Sequence, residues 1–336
     1  MHEYEISIII PTYNSSKTIE RTIHSILTQD FKNYEMVFVD DASNDDTVSC
    51  IQETLADKKV NYQLIVNKNN KGPAYCRNRG VFASRGKYIV FVDSDDLIQF
   101  NHISSLHNYV KSDNFDSAFT KGIKINNQDE LIDFKVDKYD GLIHLARKNK
   151  GIVRAKDLIN LELLMKIPFS FVLLIYDKEI ILNNSLEFNE DYRYGEDTDF
   201  ALRYLANCGN VRVIDKYTYF YYQEEDSISR QVSLDRFESV KLFESLDSYF
   251  KEDDLREKLV HSRIPRFIFG NMNYFFYNGY NSEDVFKKMD VLDLFNKLRQ
   301  FKVFEKRDWK FYLKVRLFLL NHRLYYKLWL RFKNNL

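Results

Sequence analysis

Two hydrophobic rhythms alternate along the first 95 residues. Ile6-Ser7-Ile8-Ile9-Ile10-Pro11 is a nearly continuous apolar run closed by proline, the pattern of a parallel strand buried on both faces. After the polar turn Thr12–Ser16, Ile19, Ile23, Ile26 and Leu27 recur at helical spacing, which predicts a helix over 18–27. The alternation then repeats. Glu35–Val39 predicts a strand, 46–56 a helix, Tyr62–Val66 a strand, and Arg77–Ala83 a helix with Pro73 in its first turn. A fourth apolar run, Tyr88–Val92, completes the order β-α-β-α-β-α-β. Right-handed crossovers turn that order into a doubly wound, mostly parallel, Rossmann-like α/β sheet.

Beyond residue 100 the pattern is less regular. Ser117–Ile125, Phe169–Tyr176 and Val211–Tyr222 predict strands, Ile152–Met165 a helix, and the polar stretch Asn126–Lys138 a loop or hairpin. From Leu234 onward the spacing is helical, with Phe237, Val240, Phe243 and Leu246, then Leu255–Val260 and Ile264–Phe276. The expected organisation is an α/β domain over 1–230 and a helical C-terminal appendage over 231–336.

Composition excludes several classes. With 45% hydrophobic residues, 10 Gly and 4 Pro in 336, the chain is globular and not low-complexity. Cys50, Cys76 and Cys208 lie far apart, which is neither a disulfide framework nor a zinc site and suits a reducing cytoplasm. The residues before Ile6 do not read as a signal peptide, and no uncharged apolar stretch of about 18 residues predicts a membrane span. The formal net charge of zero hides an asymmetry. Residues 297–336 hold 12 Lys and Arg against 2 Asp and Glu, net +10, so the other 296 carry 37 against 47, net −10. A basic tail on an acidic body predicts an anionic partner for the tail.

Candidate chemistry gathers where strands end. The fourth strand runs straight into Asp93-Ser94-Asp95-Asp96. Crowded carboxylates repel, and a hard divalent cation such as Mg²⁺ or Mn²⁺ relieves them while leaving positions for substrate phosphates. Open α/β sheets bind ligands outside the carboxyl ends of their strands. The alternative is a helix cap, with Asp95 or Asp96 capping a helix near 97–110. Pro11-Thr12-Tyr13 and Asp40-Asp41 close two earlier strands on the same edge. No G-x-G-x-x-G follows the first strand and no Walker A sequence occurs, which argues against a dinucleotide dehydrogenase and a P-loop NTPase.

Four segments in this order and spacing carry a resemblance: Ile-Ile-Ile-Pro-Thr-Tyr-Asn, Val-Phe-Val-Asp-Asp-Ala-Ser-Asn-Asp-Asp-Thr, Gly-Pro-Ala-Tyr-Cys-Arg-Asn-Arg-Gly and Gly-Lys-Tyr-Ile-Val-Phe-Val-Asp-Ser-Asp-Asp. Together they resemble the family 2 inverting glycosyltransferases of the GT-A fold, of the bacterial cell-surface polysaccharide type, over about residues 5–230. The resemblance implies a nucleotide-binding half over 1–100 and an acceptor half over 101–230. It implies a UDP-sugar donor bound with Mn²⁺ or Mg²⁺, Asp95 as direct metal ligand, and Asp93 and Ser94 beside the ribose and the metal. It implies Asp41 accepting from the uracil imide, Tyr13 stacked on the base with Pro11 and Thr12 close by, and Arg77 touching the nucleotide. Read as residues alone, Arg77 is equally a helix-surface arginine paired with Asp41.

Tyr194-Gly195-Glu196-Asp197 opens a helix roughly 100 residues after the D-x-D. Alone it reads as an acidic first turn complementing the helix dipole. The resemblance implies instead that Asp197, with Glu196 as the neighbouring candidate, is the general base. Gln223–Arg230 is similar to a family segment that often holds a His, but Gln and Glu stand in that region here, and Arg230 remains a candidate phosphate contact.

The last stretch, Trp309–Phe332, interleaves Lys and Arg with Trp, Phe, Tyr and Leu, the pattern of an interfacial helix on an anionic membrane. A packed or oligomerising helix with snorkelling basic side chains is the alternative. The expected enzyme is therefore cytoplasmic and peripheral at the inner face of the membrane. It moves a sugar to a glycan acceptor, lipid-linked, in surface polysaccharide synthesis. A soluble protein acceptor and a non-catalytic nucleotide-sugar-binding scaffold are the competing readings. No nucleic acid is expected as partner, and a homo-oligomer is left open.

Overall fold

The structure is a computed structural model and describes residues 2–110, 115–126, 131–132, 139–222 and 233–332. It divides into two compact units: residues 1–161 with 166–227, and residues 162–165 with 228–336.

The first unit opens with the expected alternation. Its elements are β1 (Tyr4–Thr12), α1 (Ile19–Leu27), β2 (Tyr34–Asp40), α2 (Thr47–Leu55), β3 (Asn61–Val66), α3 (Pro73–Ala83) and β4 (Gly86–Phe91). The four strands are parallel in the order β3-β2-β1-β4. Ile6, Ile8, Ile9 and Ile10 are all fully buried, because helices cover both faces of a parallel sheet and leave no polar side. Helix α3 lies so close to β1 that a Cβ on Gly80 would clash with Cγ2 of Ile9. Only glycine allows that approach. Glu35 is a carboxylate buried within this sheet. It accepts from Ser7 Oγ at 2.7 Å, from the Arg85 amide and from Gln63. Burial opposes its ionisation, but these hydrogen bonds prevail and hold its pKa below the ordinary value.

The sheet continues through β5 (Leu97–Ile98), α4 (His102–Val110), β6 (Ser117–Ile125), β7 (Leu131–Ile132), α5 (Asp140–Lys148), β8 (Ile152–Arg154), α6 (Ala155–Leu163), β9 (Leu174–Asp177), α7 (Lys178–Asn183), α8 (Glu196–Ala206) and β10 (Asn210–Tyr222). The full order is β3-β2-β1-β4-β9-β6-β10-β5, with β7 on β6 and β8 on β10. Strand β9 runs antiparallel to both β4 and β6, so the sheet is mixed in this half.

Three expectations change here. The helix expected over 152–165 begins at Ala155, because Ile152–Arg154 pairs with Asn210–Arg212 as β8. The strand expected over 169–176 is only Leu174–Asp177. Phe171–Leu173 is a single 3₁₀ turn, and the Phe171 ring lies 5.6 Å from that of Phe91. The helix considered near 97–110 starts at His102, since Leu97 and Ile98 pair with β10.

The second unit is helical: α9 (Ser239–Ser245), α10 (Asp253–Lys258), α11 (Ile264–Tyr277), α12 (Ser282–Val291), α13 (Leu294–Arg299), α14 (Asp308–Leu320) and α15 (His322–Phe332). Its core is aromatic. Phe269 on α11 meets Phe311, Phe318 and Tyr325 from α14 and α15, with ring centroids 5.3–5.9 Å apart. Among the described residues no helix is long and apolar enough to cross a membrane.

Candidate active site

The carboxyl ends of β1, β2 and β4 lie side by side, and the polar residues that follow them form one edge. At the end of β1, Thr12 Oγ1 donates to Asp40 at 3.1 Å and the Asp41 amide donates to the Thr12 carbonyl at 2.8 Å. Tyr13, next in the chain, is 37% exposed. Asp41 is buried. Its carboxylate accepts from the Lys71 and Gly72 amides and from Asn67 Nδ2, at 2.6–3.0 Å. It therefore ties the loop before α3 to the end of β2.

The turn after β4 is held from three sides. The Asp96 amide donates to the Asp93 carbonyl at 3.1 Å, closing the turn. Ser94 Oγ is 2.8 Å from Ser15 Oγ. Thr22 Oγ1 bonds the carbonyls of Ser94 and Asp96, at 3.0 and 2.9 Å. Arg21 donates to the Asp95 carbonyl at 3.0 Å and stacks on the Tyr222 ring, 3.0 Å from its centroid. These contacts fix the backbone around Asp93 and Asp95, whose side chains are both half-buried.

Asp96 is not a helix cap. It is buried, and accepts from the Tyr219 hydroxyl at 2.8 Å and the Tyr222 amide at 2.9 Å. Tyr219 Oη also accepts from the Asp93 amide at 3.3 Å. Strand β10 therefore anchors the acidic turn, which explains why the residue following the D-x-D is acidic without facing a helix. Burial, then the charges of Asp95 and Asp93, push the Asp96 carboxyl well above the usual carboxylate range. Mutual repulsion of this kind is what a bound cation relieves.

Helix α8 brings the second acidic pair. Gly195, its N-cap, has φ +86°, a left-handed conformation that side chains resist. The chain thus turns sharply and points Glu196 back toward α3. Arg77 on α3 joins the two acidic groups: its guanidinium donates to Asp93 Oδ1 at 3.0 Å and to Glu196 Oε1 at 3.2 Å. Arg77 is buried and faces the rings of Phe171 and Phe188, at 4.5 and 5.5 Å. The pairing with Asp41 considered from the sequence does not occur. Burial, then the charge of Asp197, push the Glu196 carboxyl up to about 8 despite Arg77. Asp197 is half-buried, and its Oδ1 accepts from the Thr198 amide at 2.6 Å. Below it, Asp199 pairs with Arg203 at 2.5 Å, and the Phe188 and Phe200 rings stack at 3.9 Å. The first turn of α8 thus rests on a fixed base.

The edge therefore collects Thr12, Tyr13, Asp41, Asp93, Ser94 and Asp95 from three strand ends, and Arg77 ties it to the start of α8. Sequence reasoning missed Arg21, Thr22, Tyr219 and Tyr222. Their signal was weak: two of several polar residues on an amphipathic helix, and an aromatic run that reads as strand core. Arg230 and the rest of 223–230 lie outside the described residues.

The donor set here is carboxylate oxygen, which suits Mg²⁺ or Mn²⁺. Among the described residues no group of three or more His, Cys, Asp or Glu is arranged as a cation site by itself. A cation here would therefore be shared between one or two carboxylates and the oxygens of a substrate, the usual situation for Mg²⁺ with a phosphate ligand.

Comparison with known proteins matches residues 7–160 to the family model Glycosyl transferase family 2. Poly(ribitol-phosphate) beta-N-acetylglucosaminyltransferase TarP of Staphylococcus aureus is 27% identical over 251 residues, 74% of this chain and 71% of that one. Succinoglycan biosynthesis protein ExoO of Rhizobium meliloti is 29% identical over 265 residues, 78% and 74% of the two chains. Among solved structures, S. aureus TarS 1-349 in complex with UDP-GlcNAc superposes with a TM-score of 0.69 at 20% identity, over 88% of this chain and 81% of that one. At that identity the likeness speaks for the fold, and the expected GT-A fold is the fold observed.

Proposed function

We propose that this chain, a glycosyltransferase belonging to glycosyl transferase family 2, moves a sugar from a UDP-sugar to a hydroxyl of a glycan acceptor in a single inverting displacement. The observation that carries this reading is Arg77. It links Asp93 of the strand-end turn to Glu196 at the start of α8, and so sets a donor-binding edge beside Asp197, the neighbouring acid suited to proton abstraction.

Each residue has a part. Pro11, Thr12 and Tyr13 take the base, with the exposed Tyr13 ring offering a stacking face. Asp41 shapes the base pocket through the loop at 67–72. Asp95, with Asp93, would hold Mn²⁺ or Mg²⁺ when it binds together with the donor, and Ser94 lies between them in the chain. The cation, when bound, supplies a Lewis acid that stabilises the departing UDP. The acceptor hydroxyl loses its proton to Asp197. Glu196, held at about 8, is largely protonated at neutral pH and makes a poor base there. This favours Asp197 over its neighbour.

The names of TarP and ExoO each carry a polymer, poly(ribitol-phosphate) and succinoglycan. They support a glycan polymer as the acceptor; its carriage on a lipid at the cytoplasmic face of the membrane is our proposal. The UDP-GlcNAc complex of TarS supports UDP as the donor's nucleotide. A thermal-shift screen of nucleotide sugars with Mn²⁺ tests the donor, since stabilisation follows the logarithm of ligand concentration over Kd. A UDP-sugar should raise Tm above UDP alone and above GDP-sugars. Equal shifts for all nucleotides, or none, would remove the assignment.

A further inference from the structure

Helix α14 carries an exposed apolar stripe that the transfer reaction does not use. Trp309, Leu313, Leu317 and Leu320 are 54%, 62%, 43% and 84% exposed. At about 100° per residue these four fall within roughly 80° of one another around the helix. They are a single face and not scattered surface residues. The opposite side is occupied: Val315 and Phe318 are buried, and Phe318 and Phe311 pack on Phe269 of α11. Exposed basic residues border the stripe, Lys310 and Lys314 along one side and Arg316 along the other. Helix α15 repeats the arrangement. It buries Tyr325 and Trp329 inward and exposes Leu324 and Leu328, with Lys327 exposed between them.

We infer that α14 and α15 seat this unit on an anionic lipid surface, with Trp309, Leu313, Leu317 and Leu320 entering the boundary between headgroups and acyl chains. An apolar strip bordered by Lys and Arg and begun by Trp is the chemistry of an interfacial helix. The apolar side chains leave water and the basic ones meet lipid phosphates. A second copy of the chain fits less well. A two-fold contact through the stripe would set Lys310, Lys314 and Arg316 of one protomer against the same residues of its partner. The inference does not rest on the reaction, because release of UDP from a donor in solution reads the catalytic assignment without any membrane.

Flotation of the full chain with phosphatidylcholine vesicles, with and without phosphatidylglycerol, tests it. Trp309 is a built-in reporter, since the other of the two tryptophans, Trp329, is buried. The chain should float with phosphatidylglycerol vesicles at low salt, with a blue shift in emission that Trp309→Phe abolishes. The variant K310Q/K314Q/R316Q should lose about a hundredfold in partitioning, taking each basic residue near the surface at about fivefold. The variant L313Q/L317Q changes only exposed side chains and should bind more weakly while its UDP release in solution stays unchanged. The inference is overturned if the wild-type chain stays at the bottom with both vesicle types, or if it floats equally with both. It is also overturned if sedimentation shows a wild-type oligomer that L313Q/L317Q dissolves with no change in flotation, for then a second copy covers the stripe.

Discussion

Arg77→Ala separates a residue that touches the nucleotide from one that positions the acids. Arg77 is 8% exposed, as is Glu196, while Asp93 is 32% exposed. Removing one partner of a fully buried ion pair costs about 3–5 kcal/mol, but two features lower that figure. Asp93 is a third exposed, so water answers part of its charge, and that contact is worth about 1 kcal/mol. Glu196 is held up to about 8 and carries its proton at pH 7, so its bond to Arg77 counts as a hydrogen bond of about 1 kcal/mol. Loss of the guanidinium over Phe171 and Phe188 adds about 1–2 kcal/mol. Together these make roughly 3–4 kcal/mol, or about 10 °C in Tm for a unit of this size. For activity, the first turn of α8 loses its tether to the D-x-D turn, and a displacement of about 1 Å costs about a hundredfold in rate. The expected result is a Tm about 10 °C lower and a kcat about a hundredfold lower, with the KM for donor little changed. Arg77→Lys keeps the charge but cannot fork to both acids, and should fall in between. Differential scanning fluorimetry and steady-state UDP release measure both. An unchanged Tm with an intact kcat and a raised donor KM would refute the positioning role and make Arg77 a nucleotide contact.

Glu196 has a pH signature. Its folded pKa, about 8, lies above the ordinary 4.5, so the folded state binds this proton more tightly. The contribution to stability is full below about pH 4.5 and is lost as pH rises toward about 8. Glu196→Gln should flatten the fall in Tm between those values and be the more stable protein at pH 8, with kcat at pH 7 within a few-fold of wild type. Gly80→Ala should lower stability by about 1–3 kcal/mol through the clash with Ile9, read by urea denaturation with an unchanged m-value. Asp95→Asn should abolish the response of Tm and rate to added Mn²⁺, whereas EDTA should bring the wild-type enzyme to the level of the variant.

The first 95 residues were legible because a parallel sheet is built from local signals. Each buried strand is a short apolar run, each crossover a helix with its own period, and each strand end a break into polar residues. The same locality exposed Asp93, Asp95, Asp41 and Tyr13, which sit where their strands stop. The partners of those residues were not legible. Asp41 bonds a loop about 30 residues on, and Asp96 is satisfied by Tyr219 and Tyr222 more than 120 residues away. No local pattern encodes such pairings, and an acidic residue before a helix looks like a cap until β10 is seen beside it. Arg77 shows the same limit. Its helix was legible, yet its side chain is buried and its partners come from the turn after β4 and from α8. Ile152–Arg154 and Phe171–Leu173 departed from their apolar rhythm because a neighbouring strand and a buried ring decided the backbone there.

The central claim is that Asp197 takes the acceptor proton in a reaction that releases UDP. The direct measurement is UDP release from a panel of UDP-sugars with Mn²⁺, comparing wild type with Asp197→Asn and Glu196→Gln. The account predicts turnover of at least one UDP-sugar by wild type and by Glu196→Gln, and a loss of about 10²–10⁴-fold in Asp197→Asn with donor binding preserved. Turnover by Asp197→Asn at the wild-type rate, or no turnover of any UDP-sugar by the wild-type chain, would contradict it.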